Sequence, residues 1–137
     1  MTTRTLQTVL LAALTLTIVA CGGASIRFSG RVIPGPVGVA AVVPVDDARL
    51  SEPGLAGINV TLLKATSARG GSLVAQVVTD DLGDFEIVLG RGQHPGGPII
   101  VRVQGEDVFD ARSKAYLPGS GQSLLCTVMQ REPRKDP

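Results

Sequence analysis

From residue 73 to residue 89 the chain reads as two β-type runs around one polar turn. The run Leu73–Val78 is apolar and rich in β-branched residues, and Thr79, Asp80, Asp81, Leu82 and Gly83 follow it. Phe85, Ile87 and Leu89 then share one face, because side chains on a strand alternate with period two. The stretch predicts a hairpin, and a hairpin this distinct draws the rest of the chain into a sheet. Gly83 supplies the positive φ that closes the turn. Asp80 accepts backbone N–H groups inside it. Phe85, the largest inward group, fills the space between two sheets.

The remaining runs follow the same rhythm. In residues 26–33, Ile26, Phe28 and Val32 point one way and Arg27, Ser29 and Arg31 the other. Gly30 falls on the buried side, where a glycine in a strand often marks a bulge. Ile58, Val60 and Leu62 form the inward face of residues 57–64, and Ile99, Val101 and Val103 that of residues 99–104. A last strand is expected at residues 124–130. Residues 37–45 are apolar but broken by Gly38 and Pro44, which suits an edge strand or an extended loop. A short helical turn is expected over residues 47–50. Residues 34–53 as a whole form a long connection of the kind that is usually functional or disordered. Residues 90–98 read as a flexible loop, 105–123 as polar and mixed, and 131–137 as a disordered tail. Seventeen glycines and nine prolines punctuate these short runs. The expected fold is all-β: an antiparallel two-sheet β-sandwich of about seven strands.

Charge argues against a nucleic-acid partner. The formal net charge is +1, without the clustered positive surface that phosphate binding needs. Aromatic residues make up 3% of the chain, which counts against a function that reads bases or sugars by stacking.

The first twenty residues read as an address. Residues 9–20 are apolar apart from Thr15 and Thr17, too short a run to span a bilayer and the right length for a signal-peptide core. Ile18, Val19, Ala20 and Cys21 resemble the lipobox of bacterial lipoproteins. The resemblance implies that Cys21 is acylated on sulfur and becomes the mature N-terminus, an anchor of several acyl chains. The alternative is an ordinary secreted protein whose Cys21 is free to pair with Cys126. The expected layout is a signal peptide at 1–20, preceding the sandwich as a helix, a tether at 21–25, one domain at 26–130 and a tail at 131–137. Cleavage removes Arg4, so the mature chain is neutral. Gly22 stands where an Asp favours inner-membrane retention in enteric bacteria. In a host with two membranes the expected location is therefore the outer one, facing the periplasm or exposed at the surface.

Three segments of the domain resemble the carboxypeptidase regulatory-like family. Phe28 to Val32 matches its first strand. Leu55, Gly57, Ile58 and Val60 match its second element, and Thr79, Asp80, Gly83 and Phe85 match its Thr-Asp-x-x-Gly-x-Phe turn. The resemblance covers residues 26–130 and implies a transthyretin-like (prealbumin-like) sandwich. Residues 34–53 are longer than the family's first connection, and Gly96-Gly97-Pro98 replaces its Gly-x-Tyr.

Little chemistry is concentrated in the chain. Asp80, Asp81, Asp84 and Glu86 crowd one turn, and carboxylates of this kind bind Ca²⁺. The spacing departs from the twelve-residue calcium loop, because Gly83 comes too early and the terminal Glu is missing. A solvated turn is the competing reading. His94 is the sole histidine and lacks the partners of a triad or a histidine metal site. Cys126 alternates with Leu124 and Val128, which suits a buried, inert thiol. Enzymes with related sandwiches need residues this chain lacks: hydroxyisourate hydrolases several histidines and a C-terminal Tyr-Arg-Gly-Ser, intradiol dioxygenases two Tyr and two His. Pilin-like isopeptide staples need an Asn or Asp that the last strand does not carry. The expected role is non-catalytic and without a cofactor: a membrane-anchored module that binds an envelope protein or glycan, or braces the envelope. Its contact surface is expected at residues 34–53 and 90–98. The alternative is an accessory subunit of an envelope peptidase, or a small periplasmic hydrolase.

Overall fold

Alternating apolar runs with no helical period can bury their inward faces only against another sheet, and this chain builds two. The computed structural model describes residues 25–65 and 71–132. The expected signal peptide, Cys21, most of the tether and residues 133–137 of the expected tail lie outside the described residues. The strands are β1 (Ile26–Pro34), β2 (Val39–Pro44), β3 (Asn59–Lys64), β4 (Leu73–Val78), β5 (Asp84–Leu89), β6 (Ile99–Gln104), β7 (Ala111–Ala115) and β8 (Gln122–Val128). One sheet has the order β2-β8-β1-β5, the other β4-β3-β6-β7. All pairings are antiparallel except β1 with β8, which is parallel. The sandwich expected from the alternation is present, with eight strands rather than about seven.

The faces fall as the alternation requires. Phe28 and Val32 from β1, Val60 and Leu62 from β3, Phe85, Ile87 and Leu89 from β5, Ile99, Val101 and Val103 from β6, and Leu124, Cys126 and Val128 from β8 meet in one core. Gly30 marks no bulge. The register from Ile26↔Leu89 to Arg31↔Asp84 runs without a shift. Gly30 faces Phe85, and a Cβ there would lie 2.2 Å from Phe85 Cζ and 2.5 Å from the Leu124 carbonyl oxygen. The missing side chain is the space the ring occupies.

The hairpin expected at residues 73–89 does not form. β4 pairs with β3 and β5 with β1, so the turn between them carries the chain from one sheet to the other. Long-range bonds decide this. The Thr79 N–H donates to the Ile58 carbonyl at 2.9 Å, and the Thr79 carbonyl accepts from Gly57 N–H at 3.1 Å. At the far end of the turn, the Gly83 carbonyl accepts from Val32 N–H at 2.9 Å. Each end is thus claimed by a different sheet.

Residues 34–53 are built as their residues suggest: β2 is an edge strand, and a 3₁₀ turn (Ala48–Ser51) follows it. Leu50 of that turn roofs Ile33, Val43 and Leu125 on the outer face of the first sheet, a second small core. Residues 111–115 form β7, unannounced because its inward positions are only Ala111, Ser113 and Ala115. Small groups are what the site needs: the Ala111 Cβ sits 2.5 Å from where a Gly38 Cβ would be, and Ser113 Oγ accepts from Ala40 N–H at 2.9 Å. Residues β2 and β7 thereby seal the edge opposite the crossing turn. Arg131, expected in the disordered tail, donates its N–H to the Asp107 carbonyl at 2.7 Å and lays its guanidinium over Phe109, 5.0 Å from the ring centre.

Two substitutions test the core. Phe85→Ala should lower unfolding free energy by about 3–5 kcal/mol, because it empties the contact between sheets. Gly30→Ala should cost about 1–3 kcal/mol by overpacking. Adding Phe85→Leu to Gly30→Ala should recover part of that loss, which urea unfolding of the four proteins would show. Simple additivity of the two losses would place the Gly30 effect elsewhere.

Candidate functional site

The richest concentration of polar side chains lies where the crossing turn meets β1. Arg31 sits directly opposite Asp84 in the β1–β5 register. Its Nε donates to Asp84 Oδ1 at 2.7 Å and its Nη2 to Oδ2 at 3.1 Å, a two-pronged contact that matches the fork of the guanidinium. Nη1 donates to the Glu52 carbonyl at 2.7 Å. One side chain thus ties β1, β5 and the end of the 44–53 segment together. The Arg31 side chain is 15% exposed against 42% for Asp84. The hydrogen bond to Asp84 raises the Arg31 pKa above its ordinary value, opposed by desolvation and aided by the charges of Asp84 and Asp80.

The Thr79–Gly83 turn beside it is closed by its own side chains. Asp80 Oδ1 accepts from Leu82 N–H and Asp84 N–H, both at 2.9 Å. The Gly83 N–H donates to the Asp80 carbonyl at 3.0 Å, with Gly83 at φ +83°. Thr79, 5% exposed, donates its hydroxyl to the Leu55 carbonyl and accepts from Ile58 N–H. The two sequence segments singled out earlier, around Leu55–Val60 and Thr79–Phe85, therefore touch. A Cβ on Gly83 would lie 2.5 Å from the Gly54 Cα, so the two backbones meet without side chains between them.

This arrangement leaves the four acidic candidates apart. Asp80 serves the turn, Asp84 serves Arg31, and Glu86 lies 3.2 Å from Arg27. Asp81 is exposed. Among the described residues, no group of three or more His, Cys, Asp or Glu side chains is placed to share a metal ion. A groove of about 560 Å³ runs past Arg31, lined also by Ser29, Leu50, Asp80, Asp84 and Ser123. Ser123 donates its hydroxyl to the Ser29 carbonyl at 2.7 Å. Arg31, Asp84 and Ser123 use their hydrogen bonds to join one segment to another, and Asp80 uses its own to close the turn. Such a groove can offer shape and a fixed charge pattern to a binding partner.

A second groove, of about 790 Å³, opens at the end of the sandwich where β1 begins, lined by Arg27, Glu86, His94, Leu117, Ser120 and Gln122 among others. His94 is exposed, and its Nδ1 accepts from Gly96 N–H at 2.9 Å, which shapes its own loop. Cys126 is fully buried between the sheets, and burial pushes its thiol up to about 12. At ordinary pH it is a packed apolar group.

Sequence reasoning placed Asp80, Gly83 and Phe85 in turn and core, and there they are. It missed Arg31 and Ser113, whose partners lie 53 and 73 residues away along the chain. The alternation in β1 made Arg31 an outward residue and carried no sign of Asp84 beside it. Asp47 gave a local signal: it sits just before the 3₁₀ turn, and its Oδ1 accepts from Arg49 N–H at 2.9 Å.

A double-mutant cycle with Arg31→Ala and Asp84→Ala should give a coupling of about 1 kcal/mol, the upper end for a pair open to solvent on one side. Arg31→Lys should not restore it, because an ammonium cannot hold two oxygens and a carbonyl at once. The Asp47 carboxyl responds to pH. Hydrogen bonds from the Arg49 guanidinium, then from Arg49 N–H, hold its pKa at about 2 against an ordinary 3.8. A lowered folded-state pKa stabilises above the ordinary value and loses that contribution as pH falls toward the lowered one. The thermal-midpoint gap between the unsubstituted protein and Asp47→Ala should be constant above about pH 4 and narrow between about pH 4 and pH 2. The chain matches no family model, no curated protein and no solved structure.

Proposed function

We propose that this chain is a lipid-anchored protein of a bacterial cell envelope, in which the β-sandwich is a non-catalytic binding or structural module. The observation that carries the reading is Cys21 in its setting: an apolar run of signal-peptide length, then Ile18-Val19-Ala20-Cys21-Gly22. Acylation there ties the domain to a membrane through a few residues, with an outer membrane as the site where the host has two. The use of Arg31, Asp84, Thr79 and Ser123 to join segments, and of Asp80 to close the turn, supports a role in shape and contact rather than turnover. The meeting of the Leu55–Val60 and Thr79–Phe85 segments at one corner supports kinship with carboxypeptidase regulatory-like sandwiches. The partner of such a module is another envelope protein or a glycan.

Mass spectrometry of the membrane fraction tests the anchor. The expected N-terminal peptide begins at Cys21 and carries the mass of acyl chains, and Cys21→Ser should leave the protein unacylated and released from membranes. An unmodified peptide containing Cys21 would overturn the reading. Crosslinking and pull-down from solubilised envelope should then recover one reproducible partner, while hydrolysis of peptide or ester substrates by the purified protein would contradict the non-catalytic assignment.

A further inference from the structure

The two ends of the sandwich differ in charge. The strand registers put the start of β1 at the same end as the close of β3, the close of β5, the start of β6 and the close of β7. This end, proximal to the chain's entry, carries Lys64 at the end of β3, Arg91 in the β5–β6 loop and Lys114 near the end of β7. None of the three has an ion-pair partner among the described residues. The acids near this end are Asp46, Asp47 and Glu86; Asp47 is paired with Arg49, and Glu86 with Arg27. At the distal end the balance reverses: Asp80 and Asp81 lie in the crossing turn and Glu106 and Asp107 follow β6, with Arg131 beside Asp107, while Asp84 is paired with Arg31 and Asp110 lies 3.9 Å from Arg102. A six-residue strand is about 20 Å long, more than two screening lengths of about 8 Å at physiological salt, so each end presents its own field.

The chain outside the described residues fixes which end lies near a membrane. Only Gly22, Gly23, Ala24 and Ser25 separate Cys21 from Ile26. Four residues span at most about 14 Å when fully extended. An acylated Cys21 therefore holds the proximal end within reach of the lipid headgroups and leaves the distal end facing away. Basic side chains near an anionic leaflet are attracted to it over about a screening length.

We propose that the proximal end, through Lys64, Arg91 and Lys114, docks on an anionic phospholipid surface and holds the sandwich upright with its acidic end outward. The proposal rests on the acylation of Cys21. It gives the tethered domain a preferred orientation, so that the crossing turn and its groove beside Arg31 point toward a partner rather than toward the bilayer.

The acylated full-length protein, with Gln93→Cys or Asp81→Cys, is labelled with a thiol-reactive fluorophore. Cys126 is buried and should take no label, and an acylated Cys21 has no free thiol. The labelled proteins are reconstituted into vesicles of phosphatidylcholine alone or with phosphatidylglycerol, each carrying a headgroup quencher. Quenching at position 93 should rise severalfold when phosphatidylglycerol is present, while position 81 stays unquenched. High salt, or Lys64→Glu with Arg91→Glu and Lys114→Glu, should abolish the rise. Equal quenching at 93 in both vesicle types, or a rise that survives high salt, overturns the docking while leaving the anchor intact. Labelling of the unsubstituted protein at Cys21 overturns the anchor and the docking together.

Discussion

Five residues that pass from one sheet to the other hold this molecule in register. Thr79 is bound on the β3 side through its N–H, carbonyl and hydroxyl, and Gly83 is bound on the β1 side through its carbonyl. Between them Asp80 closes the turn with its own carboxylate. The crossing sets the spacing of the two layers at one edge, and Phe85 enters the core immediately after it. The ring then needs an empty place on β1, and Gly30 provides it. Arg31 follows Gly30 on the opposite face and grips Asp84, so the residues on either side of one strand position serve the same corner.

The other edge uses a different device. Gly38 just before β2 and Ala111 on β7 let two edge strands approach, and a backbone N–H meets a serine hydroxyl across the gap. The hydroxyl takes up a donor that an edge strand otherwise leaves unpaired. On the outer face of the first sheet, Leu50 closes the molecule over Ile33, Val43 and Leu125, with Asp47 and Arg49 fixing the turn that carries it. The buried polar side chains of the described residues all have partners, as a native interior requires.

Residue alternation made the core legible. Val60, Leu62, Val101, Val103, Ile87 and Leu89 could be assigned to inward faces from spacing alone, because a strand has only two faces. Pairing was less legible. Local spacing at residues 73–89 suits a hairpin, and the competition from Ile58 and Val32 for the two ends of the turn is invisible to a short window. β7 was missed for a related reason: an inward face of Ala, Ser and Ala carries too little apolar signal to stand out, although close packing at that edge demands small groups. Asp80 and Gly83 were legible in the candidate site because their roles are played within their own turn. Arg31 was not, since its importance lies in a neighbour brought by the fold.

The parallel pairing of β1 with β8 has a consequence for when the fold can exist. The first strand of the domain sits between β5 and β8, and β2 has no sheet neighbour other than β8. A growing chain can assemble β3, β4 and β6 as a sheet while β2 still waits, its one sheet neighbour about eighty residues downstream. Closing so long a loop is slow compared with local pairing. The first sheet is therefore completed late: β1 and β2 both need β8, the last strand, before that sheet can close.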